Sequence, residues 1–265
     1  MKKWIAFVVI PLLCLACHQP TPTEDSDWQD ADDVSEDLII GGRAVTKRSE
    51  IASTTVSLVD TEQGSLCTAS LLSEDIAVTA AHCVEGSPEN MQLSFGPRTA
   101  GKETRPVVDV AVSPIWRVRQ NQELNNGDIA LVRFSGGLPA GAQPATLMKP
   151  THHLTDGEIV TLAGFGLANP SGDDAGKLRS VDVKIANAHY SSTEVSLDQT
   201  NHKGACHGDS GGPAFIQGNS QGLLLWGVTS RGINDPTDHC RGQSVYTRIA
   251  SYTRWMNSVI RSWKK

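Results

Sequence analysis

Ten short segments rich in β-branched residues follow one another along the chain: Thr54–Val59, Leu66–Leu72, Ile76–Thr79, Met91–Phe95, Pro106–Val112, Ile129–Phe134, Ile159–Ala163, Val181–Ile185, Leu223–Ser230 and Ser244–Arg248. Turn-forming residues separate most of them, the pattern of an all-β protein. The 24 glycines and 13 prolines among 265 residues supply those turns and follow no fixed period, which excludes a collagen-like or coiled-coil chain. Only the end has helical spacing, with Ile249, Tyr252, Met256, Val259 and Ile260, so a closing helix is expected over 249–262. Gly136, Gly137, Pro139, Gly141 and Pro144 mark a connector between two halves, 39–145 and 146–248, each the size of one barrel. The sequence shows no internal repeat.

Before this domain lies a different composition. Lys2 and Lys3 precede 13 apolar residues, Trp4–Ala16, too short to span a bilayer and laid out like a bacterial export signal, which makes residues 1–17 a signal peptide. The run Leu15-Ala16-Cys17 resembles a lipoprotein processing site, with Cys17 as the candidate lipidated residue and membrane anchor, although Cys14 stands where lipoproteins usually have leucine. The alternative is ordinary cleavage and a soluble exported protein, so the expected location is the bacterial cell envelope or the extracellular medium.

Residues 18–38 carry eight acidic and no basic groups with few apolar ones, the composition of a disordered tether or propeptide. Leu38-Ile39-Ile40 ends that run and begins the domain, 39–265. From residue 39 onward 21 basic groups balance 21 acidic ones, so the formal charge of −6 resides in the leader and nucleic acid is excluded as a partner.

Beyond Cys14 and Cys17, four cysteines remain: Cys67, Cys83, Cys206 and Cys240. An even number in an exported protein implies disulfides, with three pairings open to four cysteines. His152, His153 and His202 lack the helical HExxH spacing of a metal hydrolase, so no metal and no cofactor is expected.

Three motifs carry chemistry. Gly208-Asp209-Ser210-Gly211-Gly212-Pro213 sets a serine among glycines, where backbone N–H groups can converge on a developing negative charge. Thr79-Ala80-Ala81-His82-Cys83 and Asn126-Gly127-Asp128-Ile129-Ala130-Leu131 offer a histidine and an aspartate. Serine is a weak nucleophile until a base takes its proton, and histidine does so best when a carboxylate fixes its tautomer. Taken singly, the histidine could be a core residue, the aspartate a turn cap and the serine part of a surface turn; together they supply every group that acyl transfer needs.

With Ile39-Ile40-Gly41-Gly42, Gly164-Phe165-Gly166, Gly227-Val228-Thr229-Ser230-Arg231-Gly232 and Val245-Tyr246-Thr247-Arg248 in the same order, residues 39–265 resemble the trypsin and chymotrypsin family of serine proteases. The resemblance implies two six-stranded antiparallel Greek-key β-barrels with a C-terminal α-helix, and a cleft between them holding His82, Asp128 and Ser210. It implies an oxyanion hole from the N–H groups of Gly208 and Ser210, and disulfides joining Cys67 to Cys83 and Cys206 to Cys240. It further implies an endopeptidase acting as a monomer on protein or peptide substrates.

Gly204, at the family's pocket base, is followed by Ala205, and with Ser230, Gly232 and Ser244 it forms a small neutral lining. Such a pocket predicts cleavage after apolar residues such as Leu, Met or Phe, because an unpaired cation is costly to bury. The family is made as a zymogen, and Ile39 and Asp209 match its activating ion pair, with cleavage after Leu38. Arg231 stands where the family usually has tryptophan; with His207 it is expected either to face acidic substrate groups or to lie in solvent without a ligand role. A second class of function is a protease-like binding protein without catalysis, which typically lacks one of the three catalytic side chains.

Overall fold

In this computed structural model, Met1 and residues 39–265 are described, except Ala100, Lys102, Pro236, Asp238 and His239. The export signal, Cys17, the acidic tether and Leu38 lie outside the described residues. The structural account below concerns the unit Ser35–Lys265.

A short strand β1 (Arg43–Ala44) and helix α1 (Glu50–Thr54) lead into the first six strands: β2 (Thr55–Asp60), β3 (Ser65–Leu71), β4 (Ile76–Thr79), β5 (Met91–Ser94), β6 (Thr104–Val112) and β7 (Ala130–Phe134). They close into an antiparallel barrel in the order β2-β3-β4-β7-β6-β5, sealed where Leu58 pairs with Leu93. All four residues of β4 are buried, because a small barrel fills its interior with side chains and its outer face here is covered too. Val56, Leu58, Leu71, Ile76, Leu93, Leu131 and Phe134 are among that core. Fully burying each large apolar side chain stabilises by roughly 1.5–3 kcal/mol against chain entropy.

After helix α2 (Pro114–Arg119, between β6 and β7) and the short β8 (Thr146–Leu147), six more strands follow. These are β9 (Ile159–Gly164), β10 (Arg179–Asn187), β11 (Glu194–Asp198), β12 (Pro213–Gln217), β13 (Leu223–Ile233) and β14 (Gln243–Arg248). Their order, β9-β10-β11-β14-β13-β12, closes through Ala214 against Leu162 and β10 against β9. In strand order it repeats the first barrel. β1 and β8 flank it, on β10 and β13. The fold is the expected pair of six-stranded antiparallel barrels.

Helix α3 (Thr253–Trp263) ends the chain after a 3-10 turn over Ile249–Tyr252. Its apolar face, Met256 with the partly buried Trp255, Val259, Ile260 and Trp263, joins a core cluster that holds the first barrel's interior together with Phe215, Leu225 and Val228 of the second. Arg133 of β7 places its guanidinium 5.7 Å from the Trp263 ring centre, adding a cation–π contact. Among the described residues no helix is long and apolar enough to cross a membrane.

Candidate active site

His82 lies in a 3-10 turn, Ala81–Val84, immediately after β4. The disulfide between Cys67 of β3 and Cys83 ties that turn to the barrel one residue from the imidazole. Asp128 sits just before β7 and is 1% exposed. Its carboxylate accepts from His82 Nδ1 at 2.9 Å, from the His82 backbone N–H at 3.1 Å and from Ser230 Oγ at 2.7 Å. An ionised carboxylate can only accept, so the imidazole keeps its proton on Nδ1 and leaves the Nε2 lone pair free for another proton.

Ser230 was expected in the pocket lining; it lines the cavity described below and also binds Asp128. The register of β13 against β14 slips between Thr229 and Arg231, so Ser230 is the extra residue of a bulge, a device that re-aims a side chain.

Ser210 lies in the turn before β12, docked on the first barrel by Thr68 of β3. The Thr68 N–H donates to the Ser210 carbonyl at 2.8 Å, and its hydroxyl donates to the Gly208 carbonyl at 2.9 Å. The same hydroxyl accepts from the Phe165 N–H at 3.1 Å. Gly211, at φ +79°, allows the approach: a Cβ there would meet Thr79 Oγ1 at 2.0 Å and the Thr68 carbonyl at 2.4 Å. The serine is thus held against the end of β4, two residues from where the His82 turn starts. Among the described residues no hydrogen bond joins Ser210 to His82, and catalytic hydrogen bonds often tighten only when substrate binds.

Within this turn the Asp209 N–H donates to the Cys206 carbonyl, the Gly211 N–H to Thr229 and the Gly212 N–H to Asp209. Among the described residues the N–H groups of Gly208 and Ser210 donate to no backbone carbonyl. Asp209 is buried and accepts from the N–H groups of Gly166 and Cys206, each at 2.8 Å. Burial pushes its carboxyl up to about 6, against those two N–H groups and the nearby charges of Arg179 and His207.

A cavity of about 380 Å³ opens beside Ser210. Ala205, Ser230, Gly232 and Ser244 line it as expected; Gly204 does not, and Gln199 takes the place foreseen for it. The second disulfide, Cys206 to Cys240, spans its wall.

A family model described as Trypsin matches residues 39–256. The chain belongs to the trypsin family. It is similar to Snake venom serine protease 2 of Protobothrops jerdonii, at 26% identity over 85% of this chain and 88% of that protein. Duodenase-1 of Bos taurus is 27% identical over 86% of this chain and 91% of its own length. Trypsin-3 of Salmo salar is 27% identical over 87% and 96%. The family and these serine protease relatives make the chain a serine endopeptidase.

Where the trypsin family usually has tryptophan, the structure gives Arg231 a protein partner that the sequence did not foretell. Its guanidinium donates to Glu194 at 2.8 Å and to the Glu123 carbonyl. Glu194 is fully buried and also accepts from the Asn125 N–H and from Ser191 Oγ. The positive charge is paired with a buried carboxylate while the side chain, 23% exposed, still lines the cavity beside Ser210.

Several site residues carry no recognisable local signal. Trp116 of α2 sets its ring 6.4 Å from that of His82. Thr68, Gln199 and Glu194 act through partners far away in sequence, Thr68 reaching Gly208 across 140 positions. His82 illustrates competing causes: burial opposes its protonation, but the hydrogen bond to Asp128 and the charges of Asp128 and Glu85 prevail, and its pKa is raised above 6.5. The groupings Cys67–His82–Cys83 and Cys206–His207–Cys240 owe their closeness to the two disulfides, whose sulfurs are not thiolates and are not metal ligands.

Proposed function

We propose that this trypsin-family endopeptidase works through His82, Asp128 and Ser210, and cleaves after uncharged, apolar residues such as Leu, Met or Phe. The observation that carries the reading is the Asp128 carboxylate, which takes three hydrogen bonds, two of them from His82, beside a turn that docks Ser210 against β4. Ser210 Oγ attacks the peptide carbonyl as its proton passes to His82 Nε2, and the imidazolium then gives that proton to the leaving amine. Asp128 fixes the tautomer and stabilises the imidazolium. Water attacks the acyl-enzyme by the same route in reverse.

The unused N–H groups of Gly208 and Ser210 are the donors for the carbonyl oxygen as it becomes an oxyanion, and loss of one such donor costs on the order of 3 kcal/mol. Ala205, Ser230, Gly232 and Ser244 form the neutral pocket. Labelling by a fluorophosphonate, abolished in Ser210→Ala, is the expected result; undiminished labelling or full peptidase activity in that variant overturns the assignment.

The protein is made as a zymogen in this reading, activated by cleavage after Leu38. The new amino group of Ile39 then pairs with Asp209. Two features support it. Asp209 is a buried carboxylate whose pKa sits near 6 in the intact chain, so a cation beside it would relieve a real cost. Ile39 is 1% exposed at φ +75°, an unfavourable conformation for a β-branched residue, and hydrolysis of the bond before it removes that torsion. Leu38 fits the neutral pocket, so one molecule can activate another. The leader exports the chain, and lipidation at Cys17 would anchor it until the same cut releases a monomeric domain.

A further inference from the structure

The glycine that the motif places at the pocket base, Gly204, does not line the cavity. Gln199, directly after β11, is 2% exposed and lines the cavity with Ala205, Ser210 and Ser244. Its Nε2 donates to the carbonyls of Ala205 and Cys240 at 3.1 and 3.0 Å, and its Oε1 accepts from the Ala205 N–H at 2.9 Å. A Cβ on Gly204, at φ +153°, would lie 2.3 Å from Gln199 Cδ and 2.4 Å from Oε1, so Gly204 makes room for this carboxamide.

Both amide hydrogens are committed and the group has no charge at any ordinary pH. It closes the floor with a neutral, rigid surface and masks two backbone carbonyls that would otherwise face the cavity.

We propose that Gln199 is the specificity-determining residue of this pocket, excluding Lys and Arg side chains before the scissile bond by occupying the carbonyls that would bind a cation. The inference rests on the proposed catalytic site. An acid does line the same cavity: Asp235, whose carboxylate accepts from the Thr237 N–H and hydroxyl and from the Arg241 N–H. It is the competing source of charge preference.

The test uses the purified protein and peptides differing only in the residue before the scissile bond. In the parent, kcat/KM for Arg or Lys falls about 100-fold or more below Leu or Phe, as expected for burying an unpaired cation. Gln199→Glu raises the Arg/Leu ratio at least about tenfold by supplying a counter-charge. Gln199→Ala, which carries no new charge and unmasks the two carbonyls, raises the Lys/Leu ratio in the same direction. Asp235→Asn leaves both ratios unchanged.

The inference is overturned if both Gln199 variants keep the parent's ratios while still labelled by fluorophosphonate, or if the parent prefers Arg and loses that preference in Asp235→Asn. A parent that neither takes the label nor cleaves any peptide overturns the proposed function and this inference with it.

Discussion

Replacing Arg231 by methionine removes the only cation paired with Glu194 among the described residues. The Glu194 side chain is 1% exposed, and its carboxylate then keeps two neutral donors, the Asn125 N–H and Ser191 Oγ, both at 2.8 Å. Deleting one partner of a buried pair costs about 3–5 kcal/mol. The arginine side chain is 23% exposed and the two donors survive, so the lower end, about 3 kcal/mol, applies.

In a domain of this size each kcal/mol moves Tm by about 2–4 °C, giving a fall of roughly 6–12 °C. Thermal unfolding followed by circular dichroism, in a Ser210→Ala background that cannot digest itself, measures it. Adding Glu194→Gln recovers most of the loss, because a neutral amide no longer needs a counter-charge. A fall worth less than about 1 kcal/mol in Arg231→Met, or a double variant no more stable than the single one, refutes the reasoning.

Three further outcomes are expected. In the proposed mechanism the general base must be neutral to act, so kcat/KM should rise with pH through the raised pKa of His82, and Asp128→Asn should move that limb down while lowering the rate. An unshifted limb in Asp128→Asn would contradict the coupling. Thr68→Val leaves the Gly208 carbonyl and the Phe165 N–H without their hydroxyl, so kcat should fall about tenfold or more at nearly constant KM while the fold survives; an unchanged kcat would show that the docking of the serine turn does not depend on it.

Asp209, raised from 3.8 to about 6, binds more protons folded than unfolded between those values, so its contribution to the stability of the intact chain declines as pH rises from about 4 to 6. Cleavage after Leu38 should abolish that decline, as seen in melts of intact and cleaved Ser210→Ala protein. Identical pH profiles for the two forms would remove the ion pair from the account.

Most of the barrels was legible because their strands are short apolar runs between turns, and each of the ten segments overlaps an observed strand. Two barrel strands, and the short flanking β1 and β8, were not. Glu194–Asp198 alternates, with Val195 and Leu197 between polar residues, but two apolar positions in five are a weak signal, and it buries an acid, Glu194, that only a distant partner, Arg231, satisfies. Pro213–Gln217 begins with proline after two glycines, which looks like a turn, yet proline is tolerated as the first residue of a strand.

The side chains proposed as catalytic were visible because glycines and small residues crowd around them for local backbone reasons. Thr68 and Gln199 were not, since what they do is set by groups that a window of sequence never contains. The four cysteines left three pairings open from spacing alone; the structure joins Cys67 to Cys83 and Cys206 to Cys240, as the resemblance implied.

The terminal helix follows the second barrel in sequence, yet it shares a core cluster with both barrels and touches the first where Trp263 meets Arg133. It works as a clasp across a hinge line. In the proposed mechanism base and nucleophile hang on opposite leaves of that hinge, and a misplacement of about 1 Å can cost on the order of 100-fold in rate. Turnover is therefore a gauge of how squarely the leaves meet, and damage at the clasp, remote from the chemistry, would be read first as lost activity and only later as lost fold.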